Sequence, residues 1–427
     1  MSALTGHLEP PTTMPGAEAV PDTIPPLPRV PSGVPVRVVM AGGGTGGHIY
    51  PGLAVAEILR RWYPDQLQLL WAATPRPIDQ RLLAGFGPDY VAQPVRTLTK
   101  KPWQWWPFLR AWRESCGYWR SYFRKNCVHA VLAVGGYAAA PAALVASQMD
   151  IPLAVVNPDA LPGVANRFLI SRADRVFTQW DLPPAAIGKY REKMVVTGCP
   201  IRLGLTGVSR QVAAQRLQMD PERLTLVITG ASLGAKTIND AIVALLDQPD
   251  ILGALRGPAG TENGRPVQGQ GCWQILHLTG LGQAAAARKA AEKLPSGFWK
   301  VVEYVDDMAA VWAMADLAIA RAGAGLCAEL TACGVPAILL PYPFHRDRHQ
   351  QANAAHLTSA GAARMVPDTK DAASNATALR PVLVELLSHA TTREAMAEAS
   401  RRLGRPQAAA DVARRLILLM TEKVNSR

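Results

Sequence analysis

From residue 36 onward the apolar positions follow two alternating periods. Short runs rich in Val, Leu and Ile, near 36–40, 67–73, 130–134, 152–156, 175–178 and 194–197, have the length and composition of buried strands. Between them apolar residues return every three or four positions, as Val55, Ile58, Leu59 and Trp62 do, which is the spacing of one helix face. A second series starts at 224–228 and continues through 273–278, 300–303, 317–320 and 336–340. Strands alternating with helices predict parallel sheets covered on both faces, and two such series in 427 residues predict two domains. The expected architecture is therefore α/β, with two Rossmann-like domains facing a cleft. The first spans 36–200 and the second 201–390, with the junction near 197–202. Residues 1–35, dense in proline and without apolar period, read as a disordered leader. The Gly- and Pro-rich stretch 252–271 reads as a surface insertion in the second domain, and 391–427 as a closing helical segment.

Composition narrows the class. Hydrophobic content of 49% with 18% charged residues describes a globular chain. The six cysteines form no CxxC pair, the usage of a reducing compartment without a zinc site. No run approaches the length of a membrane span and the N-terminus lacks the features of a signal peptide, so a cytoplasmic location is expected. Of the formal charge of +12, the segments 1–35, 36–200 and 201–427 contribute −2, +9 and +5. An anionic partner is thus expected at the first domain.

Glycine turns follow several strands: GGGTGG at 42–47, GGY at 135–137 and GASLGAK at 230–236. The first joins a strand to a helix, where unpaired N–H groups and the helix dipole attract phosphate. Such turns in both series suit two phosphorylated ligands across a cleft. Gly42-x-Gly44-x-x-Gly47 also has dinucleotide spacing, so an NADP-dependent oxidoreductase is an alternative. That reading needs an acidic ribose ligand after the second strand, which instead runs into Thr74-Pro75-Arg76. Arg76 is the residue that would serve a 2′-phosphate.

The motifs AGGGTGGHIYPGLAVAE, VGGYAAAPA, TGCPIR, GASLGAKTIND, EYVDDMAAVWAMAD and RAGAGLCAELTACGVPAILLPYPFHRDRHQQANA, in that order, strongly resemble the MurG family. Its members are peripheral membrane N-acetylglucosaminyltransferases that make the last lipid-linked precursor of peptidoglycan. The resemblance runs from about Val36 to the C-terminus and implies the two-domain GT-B glycosyltransferase architecture. It implies a UDP-N-acetylglucosamine donor on the second domain and a lipid-linked muramoyl-peptide acceptor on the first. No cofactor is implied, and a related transferase with another lipid acceptor is the nearest alternative.

By the same resemblance, Thr45, Gly46 and Gly47 stand at the cleft, with Gly135, Gly136 and Tyr137 on the acceptor side. Ser232 would hold the donor phosphates, the backbone of Val305 would meet the uracil, and Arg202 would lie near the donor. Ala324, Gly325, Leu326, Cys327 and Ala328 would line the nucleotide pocket. Glu329 would accept from both ribose hydroxyls, and Gln350 would bond hydroxyls of the sugar. The implied reaction is attack of the muramoyl C4 hydroxyl on C1 of N-acetylglucosamine with inversion, and it needs a base. His48 is the first candidate, since imidazole titrates near working pH. The alternative for His48 is a hydrogen-bonding role in the loop. One departure concerns Val156-Asn157-Pro158-Asp159, where the family usually reads His-Glu-Gln-Asn. Asp159 thus occupies an amide position expected to touch the donor sugar, and is a second candidate for the base.

His345 and His349, at i and i+4 with Asp347 between them, hint at a metal because two such His can share a helix face, but no further ligand or Asp-x-Asp pair accompanies them, and no metal is expected. Residues 96–125 hold five of the eleven tryptophans, eight basic residues and one acidic residue. On a helix from Pro107, the side chains of Phe108, Trp112, Cys116, Trp119 and Phe123 share one face, flanked by Arg110, Arg113, Arg120 and Arg124. With Trp103, Trp105 and Trp106 before it, this pattern predicts an interfacial helix on an anionic membrane surface, at the cytoplasmic face. An ordinary core face with a charged edge is the alternative. No nucleic-acid-binding motif accompanies the patch.

Overall fold

A computed structural model describes residues 24–29, 34–84, 89–97, 99, 101–231, 234–256, 261–262, 265–266, 273–344 and 347–425. The first sheet has seven strands: β1 (Val36–Gly42), β2 (Leu67–Ala73), β3 (Asp89–Ala92), β4 (Ala130–Gly135), β5 (Leu153–Asn157), β6 (Arg175–Thr178) and β7 (Met194–Val196). They lie in the order β3-β2-β1-β4-β5-β6-β7, and every pairing is parallel. The second domain opens with β8 (Leu224–Thr229), and a two-residue ribbon, β9 (Thr261–Glu262) with β10 (Arg265–Pro266), follows in the chain. The other strands are β11 (Trp273–Leu278), β12 (Trp299–Val302), β13 (Leu317–Ala320), β14 (Ala337–Leu339) and β15 (Ala363–Met365). With β8 they form a second parallel sheet in the order β12-β11-β8-β13-β14-β15. Both sheets reverse their winding at a central gap, β1/β4 in one and β8/β13 in the other. Ligands of such sheets bind outside the carboxyl ends of the strands at that gap.

The sequence pattern missed the two edge strands β3 and β15, of four and three residues. An edge strand pairs on one side only and need not be apolar throughout; Met365 is 41% exposed. The stretch 252–271 begins inside the helix Pro249–Arg256, because Ile251 and Leu255, one helical turn apart, are both buried in the core beside β11. The final helical pattern divides into Ala390–Leu403 and Ala408–Asn425. Gly404 separates them, and a Cβ there would stand 2.6 Å from the Thr331 carbonyl oxygen.

The last helix does not stay with the second domain. Ala409, Val412, Ala413, Leu416, Ile417 and Met420 are buried with Ile49, Leu53, Ile58 and Leu59 of the helix Gly46–Trp62, on one face of the first sheet. The chain therefore crosses between domains twice, and the crossings touch: a Cβ on Gly198 would clash with that of Arg405 at 2.5 Å, and Gly198 has φ +90°. Only glycine fits that backbone and that approach.

One core group adds a pH term to stability. The wholly buried His277 bonds Asn239 Oδ1 through Nε2 (3.0 Å) and stacks on Trp299, and burial pushes its pKa down to about 3 from 6.5. Between those values the unfolded chain binds a proton that the folded chain does not, so stability is fully present above pH 6.5 and falls as pH drops toward 3. The expected slope is up to about 1.4 kcal/mol per pH unit from this residue. Urea unfolding at several pH values should show a shallower acid decline for His277→Gln; an identical decline would remove the assignment.

Candidate active site

The loop after β1 is organised from beneath by Asp79. This carboxylate is wholly buried in the helix Pro77–Ala84 and accepts the Gly44 N–H at both oxygens (2.9 and 3.0 Å). It also accepts the Thr74 N–H (2.9 Å) and the Thr74 hydroxyl (2.7 Å). A Cβ on Gly43 would stand 2.3 Å from Asp79 Oδ2, and one on Gly42 would stand 2.4 Å from Val134 Cγ2. These two glycines are thus demanded by packing. Thr45 then caps the helix Gly46–Trp62 in extended conformation, and no acidic side chain occupies the helix's first turn. Its dipole faces the cleft uncompensated.

His48 stands where the two glycine turns of this domain meet. A Cβ on Gly135 (φ +107°) or Gly136 (φ +75°) would lie 2.9 Å from the imidazole, at Cδ2 and Nδ1 respectively. The GGY turn is therefore a flat wall against the ring. Nδ1 is 3.1 Å from the Thr45 hydroxyl. Burial lowers the pKa of His48 below 6.5; the Asp159 charge, the Gly43 carbonyl and Asp79 oppose this, and His349 adds to it. A neutral imidazole at neutral pH can accept a proton. Beside the ring, Arg76 donates to the Gly44 carbonyl (3.2 Å) and lies 5.6 Å from the Tyr137 ring centre.

Across the cleft, Asp159 Oδ1 accepts from Asn353 Nδ2 (2.9 Å), on the second domain's helix His349–Ser359. Gln350 Oε1 accepts the N–H groups of Ala322 (3.2 Å) and Tyr342 (2.9 Å). Its carbonyl is thus committed to backbone, and its NH2 is the group left to bond a sugar hydroxyl. Glu329 Oε2 accepts the Trp312 indole N–H (2.8 Å); burial raises its pKa, while that bond and Arg202 oppose the rise. The helix Ala324–Cys333 starts at Gly323, and a Cβ on Gly323 or Gly325 would meet nothing within 4 Å. Open space therefore faces this helix N-terminus. Arg202 lies 5.0 Å from the Tyr50 ring centre and bonds the Asp306 carbonyl (3.5 Å), next to the half-buried Val305.

Two family models match the chain: the glycosyltransferase family 28 N-terminal domain over residues 38–178 and its C-terminal domain over 225–415. The chain is 35% identical over 397 residues to the UDP-N-acetylglucosamine--N-acetylmuramyl-(pentapeptide) pyrophosphoryl-undecaprenol N-acetylglucosamine transferase of Nitratidesulfovibrio vulgaris, covering 88% of this chain and 95% of the relative. It is 33% identical over 380 residues to the protein of the same name from Desulforudis audaxviator, covering 87% and 95%. The chain belongs to the MurG family. The crystal structure of Acinetobacter baumannii MurG matches with a TM-score of 0.65 at 27% identity, over 89% of this chain and 98% of that one. The UDP-GlcNAc 2-epimerase of Neisseria meningitidis, solved with UDP-GlcNAc, is 15% identical with a TM-score of 0.56 and shares the fold alone.

The structure packs His48 beside Thr45 and against Gly135 and Gly136, and joins Asp159, through Asn353, to the helix that carries Gln350. Ser232 lies outside the described residues, as does His345. The side chains of Ala324, Leu326, Cys327 and Ala328 are buried, so at these positions the turn offers backbone to a ligand. The aromatic face assigned to 108–123 needs correction. Cys116, Trp119 and Phe123 are buried in the first core, and Trp119 donates to Gln93 Oε1 (2.7 Å). Exposed instead are Trp103 (71%), Trp105 (50%), Trp106 (76%) and Leu109 (48%), at the start of the helix Trp105–Lys125. Arg110, Arg113 and Arg124 are exposed, whereas Arg120 bonds Gln148 (2.7 Å). Among the described residues, no three metal-ligating side chains converge; Asp347 pairs with His349 at 2.7 Å.

Sequence reading missed Asp79, Trp312 and Asn353. Asp79 follows β2 within one loop and helical turn, where a dinucleotide site keeps its acid, but it faces the glycine loop and not a ribose. Trp312 is visible only as an apolar helix position. Asn353 lies two residues beyond the Gln350-Gln351 pair, and nothing local marks it as buried.

Proposed function

We propose that the protein transfers N-acetylglucosamine from UDP-N-acetylglucosamine to the C4 hydroxyl of a lipid-diphosphate-linked N-acetylmuramoyl-peptide, with inversion. The observation that carries this reading is His48, held between the GGGTGG and GGY turns with its pKa lowered by burial. The acceptor diphosphate lies on the N–H groups of the GGGTGG and GGY turns, where a helix N-terminus supplies positive potential. Glu329, oriented by Trp312, accepts the ribose hydroxyls, and the Gln350 NH2 donates to the sugar. His48 takes the C4 hydroxyl proton through Nε2 as that oxygen bonds to C1. The C1–O bond to UDP breaks, and its electron pair leaves on the diphosphate at the N-terminus of the helix Ala324–Cys333. Every step uses groups of the chain, and Asp79 answers the oxidoreductase alternative: the acid after β2 is buried under the loop, out of reach of a ribose. Labelled UDP-N-acetylglucosamine with lipid-linked muramoyl-pentapeptide should yield the disaccharide lipid. Transfer only to a different lipid would overturn the acceptor assignment.

The exposed tryptophans and arginines give the enzyme a surface for an anionic bilayer, because a long lipid tail keeps the acceptor in the membrane. No described helix is long and apolar enough to cross one. Trp112 meets Phe168 edge-on (6.2 Å), so the apolar patch continues to Phe168 and the 81%-exposed Val164. Changing Trp103, Trp105 and Trp106 to Ser together with Arg110 and Arg113 to Gln should reduce binding to anionic vesicles by at least about 10-fold, each Lys or Arg contributing about 1 kcal/mol near such a surface. Activity on a short-chain acceptor should survive. Equal vesicle binding would assign membrane contact to another surface.

A further inference from the structure

The second sheet carries, at the carboxyl ends of its strands, an ion pair that the reaction above does not use. Arg321 follows β13 and its side chain is 7% exposed; Asp368 lies beyond β15 and its side chain is wholly buried. Arg321 Nη1 donates to Asp368 Oδ2 (2.6 Å) and to the carbonyl of Leu340 (3.0 Å), the residue after β14. Its Nη2 donates to the Thr237 hydroxyl (2.8 Å), which in turn donates to Asp368 Oδ2 (2.6 Å). Asp368 Oδ1 accepts from Asn375 Nδ2 (2.9 Å) and from the Lys370 N–H (2.7 Å). The network therefore ties together the segments that follow β8, β13, β14 and β15, which are neighbours in the sheet. Drying two charges cancels much of their attraction, so such a pair contributes orientation more than net stability.

Two helices start at this network. Thr237 is the second residue of the helix Lys236–Leu245, which follows the GASLGAK turn, and Arg321 stands two residues before Gly323, the N-cap of the helix Ala324–Cys333. Neither helix has a side-chain cap or an acidic residue in its first turn, so backbone N–H groups and dipole are left unanswered at both starts. The two helices follow β8 and β13, the strands that flank the gap where the winding reverses and where ligands of such sheets bind. Between β8 and its helix the chain turns tightly: a Cβ on Gly230 would stand 2.2 Å from the Ala235 nitrogen, and Gly234 has φ +72°. Ala322, next to Arg321, is held in turn by Gln350 at its N–H (3.2 Å) and by Asn353 at its carbonyl (3.0 Å). We infer that Arg321, Thr237 and Asp368 are positioning residues for the donor diphosphate. The planar fork of Arg321 has its donors in fixed directions, so it sets one helix start against the other, and both present N–H groups to the same diphosphate. Because Asp368 offsets its charge and both side chains are buried, the pair acts through the helix starts and not as a phosphate ligand itself.

The inference rests on the UDP-sugar reading of the second domain, and the test separates the two. Calorimetric binding of UDP and of uridine distinguishes a phosphate effect from a nucleoside effect, since both carry uracil and ribose and only UDP carries the diphosphate. Thr237→Val keeps the shape of the side chain and removes the hydroxyl that both donates and accepts. It should weaken UDP binding by about 5-fold, the loss expected for one hydrogen bond, and leave uridine within about 2-fold of the wild type. Thr237→Ser should restore UDP affinity. Arg321→Lys keeps the charge without the fork and should show the same UDP-selective loss; it carries the test if Thr237→Val does not fold, which thermal unfolding of each variant reads. Equal losses for UDP and uridine, or an unchanged UDP affinity in folded Thr237→Val and Arg321→Lys, would overturn the positioning role. A wild-type protein that binds neither ligand would reject the UDP-sugar reading, and this inference with it.

Discussion

His48→Ala is expected to lower kcat by on the order of 100-fold or more, with KM for either substrate little changed. General-base contributions fall in that range, and a group that acts only in the transition state affects kcat and not binding. The wall formed by Gly135 and Gly136 supports a specific role, since a ring packed at 2.9 Å from two would-be Cβ positions has a fixed orientation. In the wild type, kcat should rise with pH as His48 loses its proton, and the midpoint should lie below 6.5 because burial lowers this pKa. That limb should vanish in His48→Ala. If KM rises instead and kcat holds, His48 binds the acceptor, and Asp159→Asn becomes the next test of the base.

Glu329→Ala is expected to weaken UDP binding by about 1.5 to 3 kcal/mol, the range for hydrogen bonds to a charged group, or roughly 10- to 100-fold in Kd. The carboxylate must be ionised to accept from both ribose hydroxyls. Burial raises the Glu329 pKa, so UDP affinity should decline as pH falls through that raised value, and the decline should be absent in Glu329→Ala. Trp312→Phe removes the indole that orients Oε2 and should cost less than the loss of the carboxylate. Calorimetric titration with UDP reads both variants against the wild type, and an affinity unchanged in Glu329→Ala would move the ribose contact elsewhere.

Much of this was legible along the chain because the signals are local. Buried parallel strands appear as uninterrupted apolar runs, which is why β1, β2, β4 and the central strands of the second sheet stand out. Glycine turns follow those strands because a strand-to-helix turn at a phosphate site needs open backbone, and the cleft residues Thr45, His48 and Glu329 sit inside long, ordered motifs. Edge strands β3 and β15 left no comparable trace. The tryptophan-rich segment shows the limit from the other side: helical spacing put Trp112, Trp119 and Phe123 on one face but did not say whether that face meets lipid or protein. The packing against β1, β4 and β5 decided it for Trp119 and Phe123, and left the tryptophans of the first turn in solvent.

By itself, the sequence determined the two α/β domains, the glycine turns, the family and the chemical types available in the cleft, because each depends on residues close together in the chain. The tertiary structure alone decided what those residues do to one another. Asp79 holds a loop 35 positions away, Asn353 reaches Asp159 across 194 positions, and the last helix returns to the first sheet. Such contacts arise from burial between surfaces that meet only when the chain is folded, and a carboxylate or amide carries no local mark of the partner that will satisfy it.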